Sequence, residues 1–189
     1  MSARHGHGHA DHHDGNKGVA LLISVLALVL AFSETLGKGA QTAALASNIE
    51  ASNLWAFFQA KTLRQTTMRT AAEQMAAQFG PNAAEAAVKK QIETWKKTAE
   101  RYQSEPETGE GRDQLAARAK AAEKKRDTSM AAYHHYELAS AAVQIAIVLA
   151  SASIITSMPA LVWMAGALGV AGIVFCAIGF FAPNAVHLF

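Results

Sequence analysis

Histidine side chains are concentrated near the start of the chain, where their spacing could hold a metal ion. The cluster consists of His5, His7, His9, His12 and His13. Imidazole nitrogens are common ligands for Zn, Ni and Cu, and a flexible segment can wrap around such an ion. The cluster predicts a site for a divalent transition metal, with a solvated tail that holds no metal as the alternative. We favour the solvated tail because no cysteine and no periodic element fixes the geometry.

An acid and a base stand four residues apart at the end of the first apolar segment. Glu34 lies within or just beyond that segment and Lys38 follows it. An ionisable residue inside a membrane helix is a candidate functional site. A glutamate followed by a lysine at this spacing also forms a favourable pair on a helix surface. We therefore favour an interfacial anchor over an ion pathway.

A second polar group stands directly before the next apolar segment. His134, His135 and Glu137 are flanked by Tyr133 and Tyr136. This composition is typical of the boundary between membrane and water. A proton relay or a metal site is the alternative.

The rest of the sequence argues against several classes of protein. It contains no Ser-His-Asp, Cys-His, HExxH or nucleotide-loop pattern, which predicts that the protein is not an enzyme and needs no cofactor beyond a metal on the tail. The net charge of +2 and the absence of a basic stripe argue against nucleic-acid binding. Cys176 is the only cysteine, so an intrachain disulfide is excluded.

Three apolar segments must position these groups. Residues 19–36, 138–158 and 159–182 form predicted transmembrane helices, since a bilayer core needs roughly 20 mainly apolar residues. We expect a multi-pass membrane protein in contact with membrane lipid. The first segment is interpreted as a retained anchor, because its small-residue motif lies too far downstream for signal cleavage. Lysines and arginines near the membrane ends favour a cytoplasmic middle region.

The segments between the spans are polar. Residues 1–18 are predicted to be a disordered tail, residues 37–137 an extramembrane helical region and residues 183–189 a C-terminal tail. Gly37 and Gly39 are expected to interrupt the helical pattern after the first span.

A heptad pattern runs through the middle region. Its apolar positions are Val88, Ile92, Trp95, Ala99 and Tyr102, and a comparable stripe follows the polar loop at residues 104–111, with Leu115, Ala119, Ala122 and Ser129. We favour a coiled-coil hairpin that folds back at this loop. A reversal at Gly80-Pro81 is the open alternative, in which one long helix is followed by a broken one returning beside it.

Small residues line the last two spans. They are Ala142, Ala146 and Ala150 on one segment and Gly166, Gly169 and Gly172 on the other. Such faces allow helices to approach closely in lipid. Packing between these two spans and contact with a neighbouring subunit are both compatible with the pattern.

The string from Ala51 to Lys61, Ala-Ser-Asn-Leu-Trp-Ala-Phe-Phe-Gln-Ala-Lys, follows the motif Gly37-Lys38-Gly39. It resembles the signature of an uncharacterised bacterial membrane protein family catalogued as domain of unknown function 4337. Asn53 stands where that signature has aspartate, and Phe57 and Phe58 where it has tyrosines. The resemblance implies a first membrane helix before the string, a membrane hairpin at the end of the chain and a location in the bacterial inner membrane, without implying an activity.

Physically, the string places Trp55, Phe58 and Lys61 on neighbouring turns of a helix. They could form an apolar face with a basic edge at the lipid headgroups, or pack as core against the other helices. The sequence as a whole predicts an all-α protein with three transmembrane helices and a central extramembrane coiled-coil hairpin. We expect a self-associating scaffold or an accessory subunit with a membrane-protein partner. A small metal-ion transporter or channel accessory that uses the histidine tail is the alternative.

Overall fold

The computed structural model of the chain describes residues 11–79 and 86–185, and for residues 11–16 the backbone alone. In these ranges the chain forms four helices and no strand. They are α1 (Asp11–Phe79), α2 (Ala86–Gln103), α3 (Arg112–Thr156) and α4 (Pro159–Phe181). The predicted all-α class is confirmed.

Helix α1 is longer than the sequence pattern predicts. It includes residues 11–18, which were expected to belong to the disordered tail, and it continues through Gly37 and Gly39. A glycine costs a helix about 1 kcal/mol relative to alanine, which packing can offset. Gly37 is buried, and a Cβ there would lie 3.5 Å from Tyr136 Cβ. The expected interruption is therefore wrong, because the helix is packed at Gly37 and no proline lies in it to break it.

The described chain divides into two compact units. The first comprises the N-terminal part of α1 up to Ala44, α3 from Asp127 onward, and α4; the second comprises residues 45–126. We call them the apolar unit and the polar unit.

The apolar unit has a core of mostly small side chains. Its buried cluster consists of Leu26, Val143, Ala146, Ala150 and Ala165. Its outer surface carries large apolar side chains, including Trp163 at 81% exposure and Ile155 at 87%. Exposed apolar surface of this extent is rare in water and normal in lipid.

Three helices are long and apolar enough to cross a membrane. The qualifying ranges are Lys17–Phe79, Arg112–Thr156 and Pro159–Phe181. Two residues, Ser157 and Met158, join the last two helices, and Pro159 opens α4 in its first turn, where the missing N–H costs nothing. Cys176 is free, with its Sγ 2.9 Å from Ser33 Oγ.

In the polar unit, both α2 and the start of α3 run antiparallel to α1. Gln65 on α1 donates a hydrogen bond to the Ala99 carbonyl on α2, and further along Ala72 meets the part of α2 around Lys96. Nearer the start of the polar unit, Ala51 and Leu54 on the same face of α1 pack against Leu115, Ala119 and Ala122 of α3.

This arrangement corrects the favoured hairpin. The chain direction reverses between Phe79 and Ala86, as the alternative predicted. The loop at residues 104–111 separates two helices that both run antiparallel to α1, one after the other along it. The two apolar stripes therefore pack against α1 rather than against each other. A heptad pattern defines the apolar face of a helix but leaves its partner open, and α1 offers each stripe a long continuous surface.

Candidate functional site

The Ala51–Lys61 string lies on α1 in the polar unit, where α1 meets α2, the 104–111 loop and α3. Trp55 Nε1 donates a hydrogen bond of 2.8 Å to Glu123 Oε1 on α3. The ring of Phe58 packs edge-on against Trp55, with centroids 5.4 Å apart. The guanidinium carbon of Arg112 lies 4.9 Å from the centroid of the Phe58 ring, within cation–π range.

Lys61 is the most enclosed charge of this group, with 6% of its surface exposed. Its Nζ lies 3.6 Å from carboxylate oxygens of both Glu105 and Glu110. The same nitrogen lies 5.4 Å from the ring centre of Phe57 and 5.3 Å from that of Tyr102. Two carboxylates and two aromatic faces thus compensate the desolvation of the ammonium group.

One helical turn beyond Lys61, Gln65 extends the network. Its amide nitrogen donates to the Ala99 carbonyl at 3.0 Å and to Gln103 Oε1 at 3.1 Å. Arg112 Nη1 donates to Gln65 Oε1 and to Gln103 Oε1. Gln103 in turn donates to Asp113 Oδ1 at 2.7 Å. We call the set formed by Trp55, Phe58, Lys61 and Gln65 with these partners the signature node.

The signature node decides between the two interpretations of the string. Trp55, Phe58 and Lys61 pack as core against other parts of the polar unit, and Lys61 contacts carboxylates rather than forming a basic edge for headgroups. Sequence reasoning missed the partners Glu105, Glu110, Glu123 and Arg112. The acids at 105 and 110 stand in a Pro- and Gly-containing loop, which signals a turn and gives no sign of a buried partner.

The small-residue faces of the two spans pack inside the apolar unit. Ala146 and Ala150 belong to the buried cluster. A Cβ on Gly169 would lie 2.6 Å from Leu26 Cδ2, and one on Gly172 would lie 2.5 Å from Val143 Cγ2. Ala142 and Gly166 stay partly exposed, so contact of these two residues with a second subunit remains a prediction.

The charged residues near the membrane boundary line a cleft between α1 and α3 in the apolar unit. Its volume is about 330 Å³, and its lining consists of Ser33, Glu34, Gly37, Lys38 and Gln41 from α1 with Tyr133, Tyr136, Glu137 and Ser140 from α3. We call it the boundary cleft. The expected pair between Glu34 and Lys38 is not formed: in the described part of the chain neither side chain makes an ion pair or hydrogen bond. Both residues are exposed and line the cleft.

Of the three ionisable residues before the second span, two lie close together and the third contacts other groups. His134 Nδ1 lies 3.7 Å from Glu137 Oε2. His135 is buried and stacks on Phe175 at 6.4 Å, with Nε2 3.3 Å from the Pro183 carbonyl oxygen. The two histidines thus contact different groups, and no group of three metal-binding side chains occurs among the described residues. Of the tail histidines, His5, His7 and His9 lie outside the described residues, and His12 and His13 are described by their backbone alone.

The fold and the signature node define a class: an all-helical protein with three helices long and apolar enough to cross a membrane, and with a polar unit in which a buried lysine is paired with two glutamates of a loop. The family model named Domain of unknown function (DUF4337) matches residues 15–182. The chain belongs to this family. Comparisons with curated proteins and with solved structures gave no match.

Proposed function

We propose that the protein is a non-enzymatic, self-associating membrane scaffold or an accessory subunit of a membrane complex. The observation that supports this is an exposed apolar stripe on α1 in the polar unit. Its apolar members are Leu45, Ile49, Ala56 and Leu63, and Ser52 and Gln59 complete it. We call this set the outer stripe.

The spacing of the outer stripe is that of a coiled-coil seam. Its members alternate in steps of four and three residues, which keeps them on one side of a helix with 3.6 residues per turn. From Leu45 to Leu63 the stripe extends for about 27 Å.

The stripe is both exposed and free of charge. Leu45 is 60% exposed, Ile49 52% and Leu63 69%. The neighbouring charges, at Glu50, Lys61 and Arg64, lie outside the narrow arc that the stripe covers. A long apolar seam of this kind in a polar region is costly to leave in water.

A second copy of the chain fits this surface best. Identical helices present identical seams, so a two-fold arrangement buries both stripes at once. An uncharged seam also needs no partner with complementary charges. The alanine and glycine faces proposed from the sequence are largely used inside the apolar unit, which leaves the outer stripe as the better candidate interface.

Cross-linking in native membranes tests this proposal. In a Cys176→Ala background, Ile49→Cys and Leu63→Cys are each compared with the adjacent exposed positions, Glu50→Cys and Arg64→Cys, using a short bifunctional maleimide. We expect dimeric adducts from positions 49 and 63 and few from positions 50 and 64, because the controls point about 100° away around the helix. In detergent, Ile49→Glu/Leu63→Glu should have the mass of a single chain. A wild-type protein with that mass, together with no adduct at 49 or 63, would refute self-association through this stripe.

The alternative of a metal-ion transporter or channel accessory rests on the histidine cluster alone. No observation on the described residues favours it over the scaffold, so it stays a prediction, as does a transition metal on the tail. That the protein catalyses no reaction and binds no nucleic acid is likewise part of the proposal.

A further inference from the structure

The boundary cleft lies where two helices pass from apolar to polar sequence. On α1, Glu34 comes two residues after Phe32, the last residue of a nearly unbroken apolar run. On α3, Glu137 comes directly before Leu138, where the uncharged segment begins. Both helices therefore bring their first charges to the same cleft. Lipid headgroups occupy this level of a bilayer.

Tyr136 gives a second, independent indication of a ligand. The residue is 4% exposed, and its ring contacts the α4 backbone at Gly179 on one side while it lines the cleft on the other. Within the described residues its hydroxyl has no hydrogen-bond partner. The hydroxyl oxygen itself is not fully buried, so a ligand or water can reach it and supply the missing hydrogen bond.

The charges that line the cleft define the chemistry of its occupant. Glu34 and Glu137 supply two carboxylates, of which the second also lies 3.7 Å from His134 Nδ1, and Lys38 supplies one ammonium group. A bare divalent cation is disfavoured by Lys38, and a simple anion is disfavoured by the two carboxylates. A zwitterion with an ammonium end and an anionic end satisfies all three groups.

We propose that the boundary cleft binds a phosphoethanolamine group. Its ammonium end is held by Glu34 and Glu137, and its phosphate by Lys38, with the Tyr136 hydroxyl as a further donor. Glu34 and Lys38 are one helical turn apart, about 6 Å along the axis, so one short zwitterion can reach both. The cleft volume of about 330 Å³ leaves room for such a group together with ordered water.

The group could come from an aminophospholipid or from a free phosphoethanolamine in solution. Native mass spectrometry of the full chain in detergent separates these sources. One arm compares retention of phosphatidylethanolamine with that of phosphatidylglycerol carrying the same acyl chains. The other arm adds soluble phosphoethanolamine or phosphoglycerol and records the bound fraction and the shift in thermal midpoint.

We expect a preference of at least about tenfold for the ethanolamine headgroup, the size expected for one hydrogen bond to a charged group. Glu34→Gln/Glu137→Gln should abolish this preference. The matched control, Glu50→Gln/Glu93→Gln, changes two exposed glutamates that do not line the cleft and should keep it. Preference for the lipid supports a bilayer source, and a response to soluble phosphoethanolamine alone supports a free ligand.

Equal retention of both lipids together with no difference between the two soluble compounds would overturn the proposal. So would a Glu34→Gln/Glu137→Gln variant that binds as the wild type does. The comparison of soluble compounds uses the unmodified protein, so it decides the matter even if a variant fails to fold. The oligomeric state does not enter either readout, which keeps this test separate from that of the outer stripe.

Discussion

Lys61 is a single side chain that joins three elements of the polar unit. It lies on α1 and contacts Tyr102 of α2 together with Glu105 and Glu110 of the following loop. A buried ammonium group is stable only when such partners replace its hydration. The position of the loop therefore depends on this lysine.

Replacing Lys61 tests that dependence. Lys61→Ala leaves Glu105 and Glu110 without their cation and should lower the free energy of unfolding by about 1 to 3 kcal/mol. The loss should fall below that of a fully buried pair because Glu110 is half exposed and can be hydrated. Thermal midpoints from circular dichroism in detergent measure the effect. Lys124→Ala, which removes an exposed lysine on α3, should change the midpoint little; equal midpoints for the two variants would contradict this role of Lys61.

At the scale of elements, the approach of α4 to α3 depends on glycine at particular positions. A Cβ on Gly172 would lie 2.5 Å from Val143 Cγ2 and 3.2 Å from the Ala139 carbonyl oxygen. Gly166 lies on the same helix, and a Cβ there would meet nothing within 4 Å. The two glycines thus form a matched pair with opposite expectations.

Gly172→Ala should destabilise the apolar unit by about 1 to 3 kcal/mol, because the added methyl group overpacks the contact with α3. Gly166→Ala should leave stability unchanged or raise it by up to about 1 kcal/mol through helix propensity. Thermal midpoints in one detergent compare them. Val143→Ala combined with Gly172→Ala should recover part of the loss, whereas equal effects of the two glycine substitutions would show that α4 does not pack closely at Gly172.

The sequence predicts helices well and helix partners poorly. The apolar face of α2 was predicted from Val88, Ile92, Trp95 and Ala99, and Ala99 is indeed buried. The helix that packs against this face is α1 rather than α3. The spacing of apolar residues is a local property of one helix. It does not show which of two apolar surfaces elsewhere in the chain that helix will pack against. Gly37 shows the same limit, since its local cost is visible in the sequence and the packing that offsets it is not.

The candidate site was predicted in part for a similar reason. The string from Ala51 to Lys61 identifies Trp55, Phe58 and Lys61 from the sequence, and all three belong to the signature node. Their partners Glu105 and Glu123 carry no local sign of their role, because an acidic residue in a loop or on a helix is usually solvated. At the boundary cleft, the charges were recognised but were expected to pair with each other.

At the scale of the whole molecule, three helices present large apolar side chains outward, and small residues fill the core of the apolar unit. This pattern stabilises a protein in lipid and would favour aggregation in water. A chain that crosses a bilayer three times places residues 37–137 and the connection at Ser157 on opposite sides.

Sided labelling of single cysteines tests this central claim most directly. In a Cys176→Ala background, Glu107→Cys and Ser157→Cys are treated with a membrane-impermeant maleimide, in sealed vesicles of each orientation. We expect each cysteine to react in vesicles of one orientation only, and the two cysteines to react in opposite orientations. Labelling of both cysteines from the same side, or recovery of the protein in the soluble fraction without detergent, would contradict it.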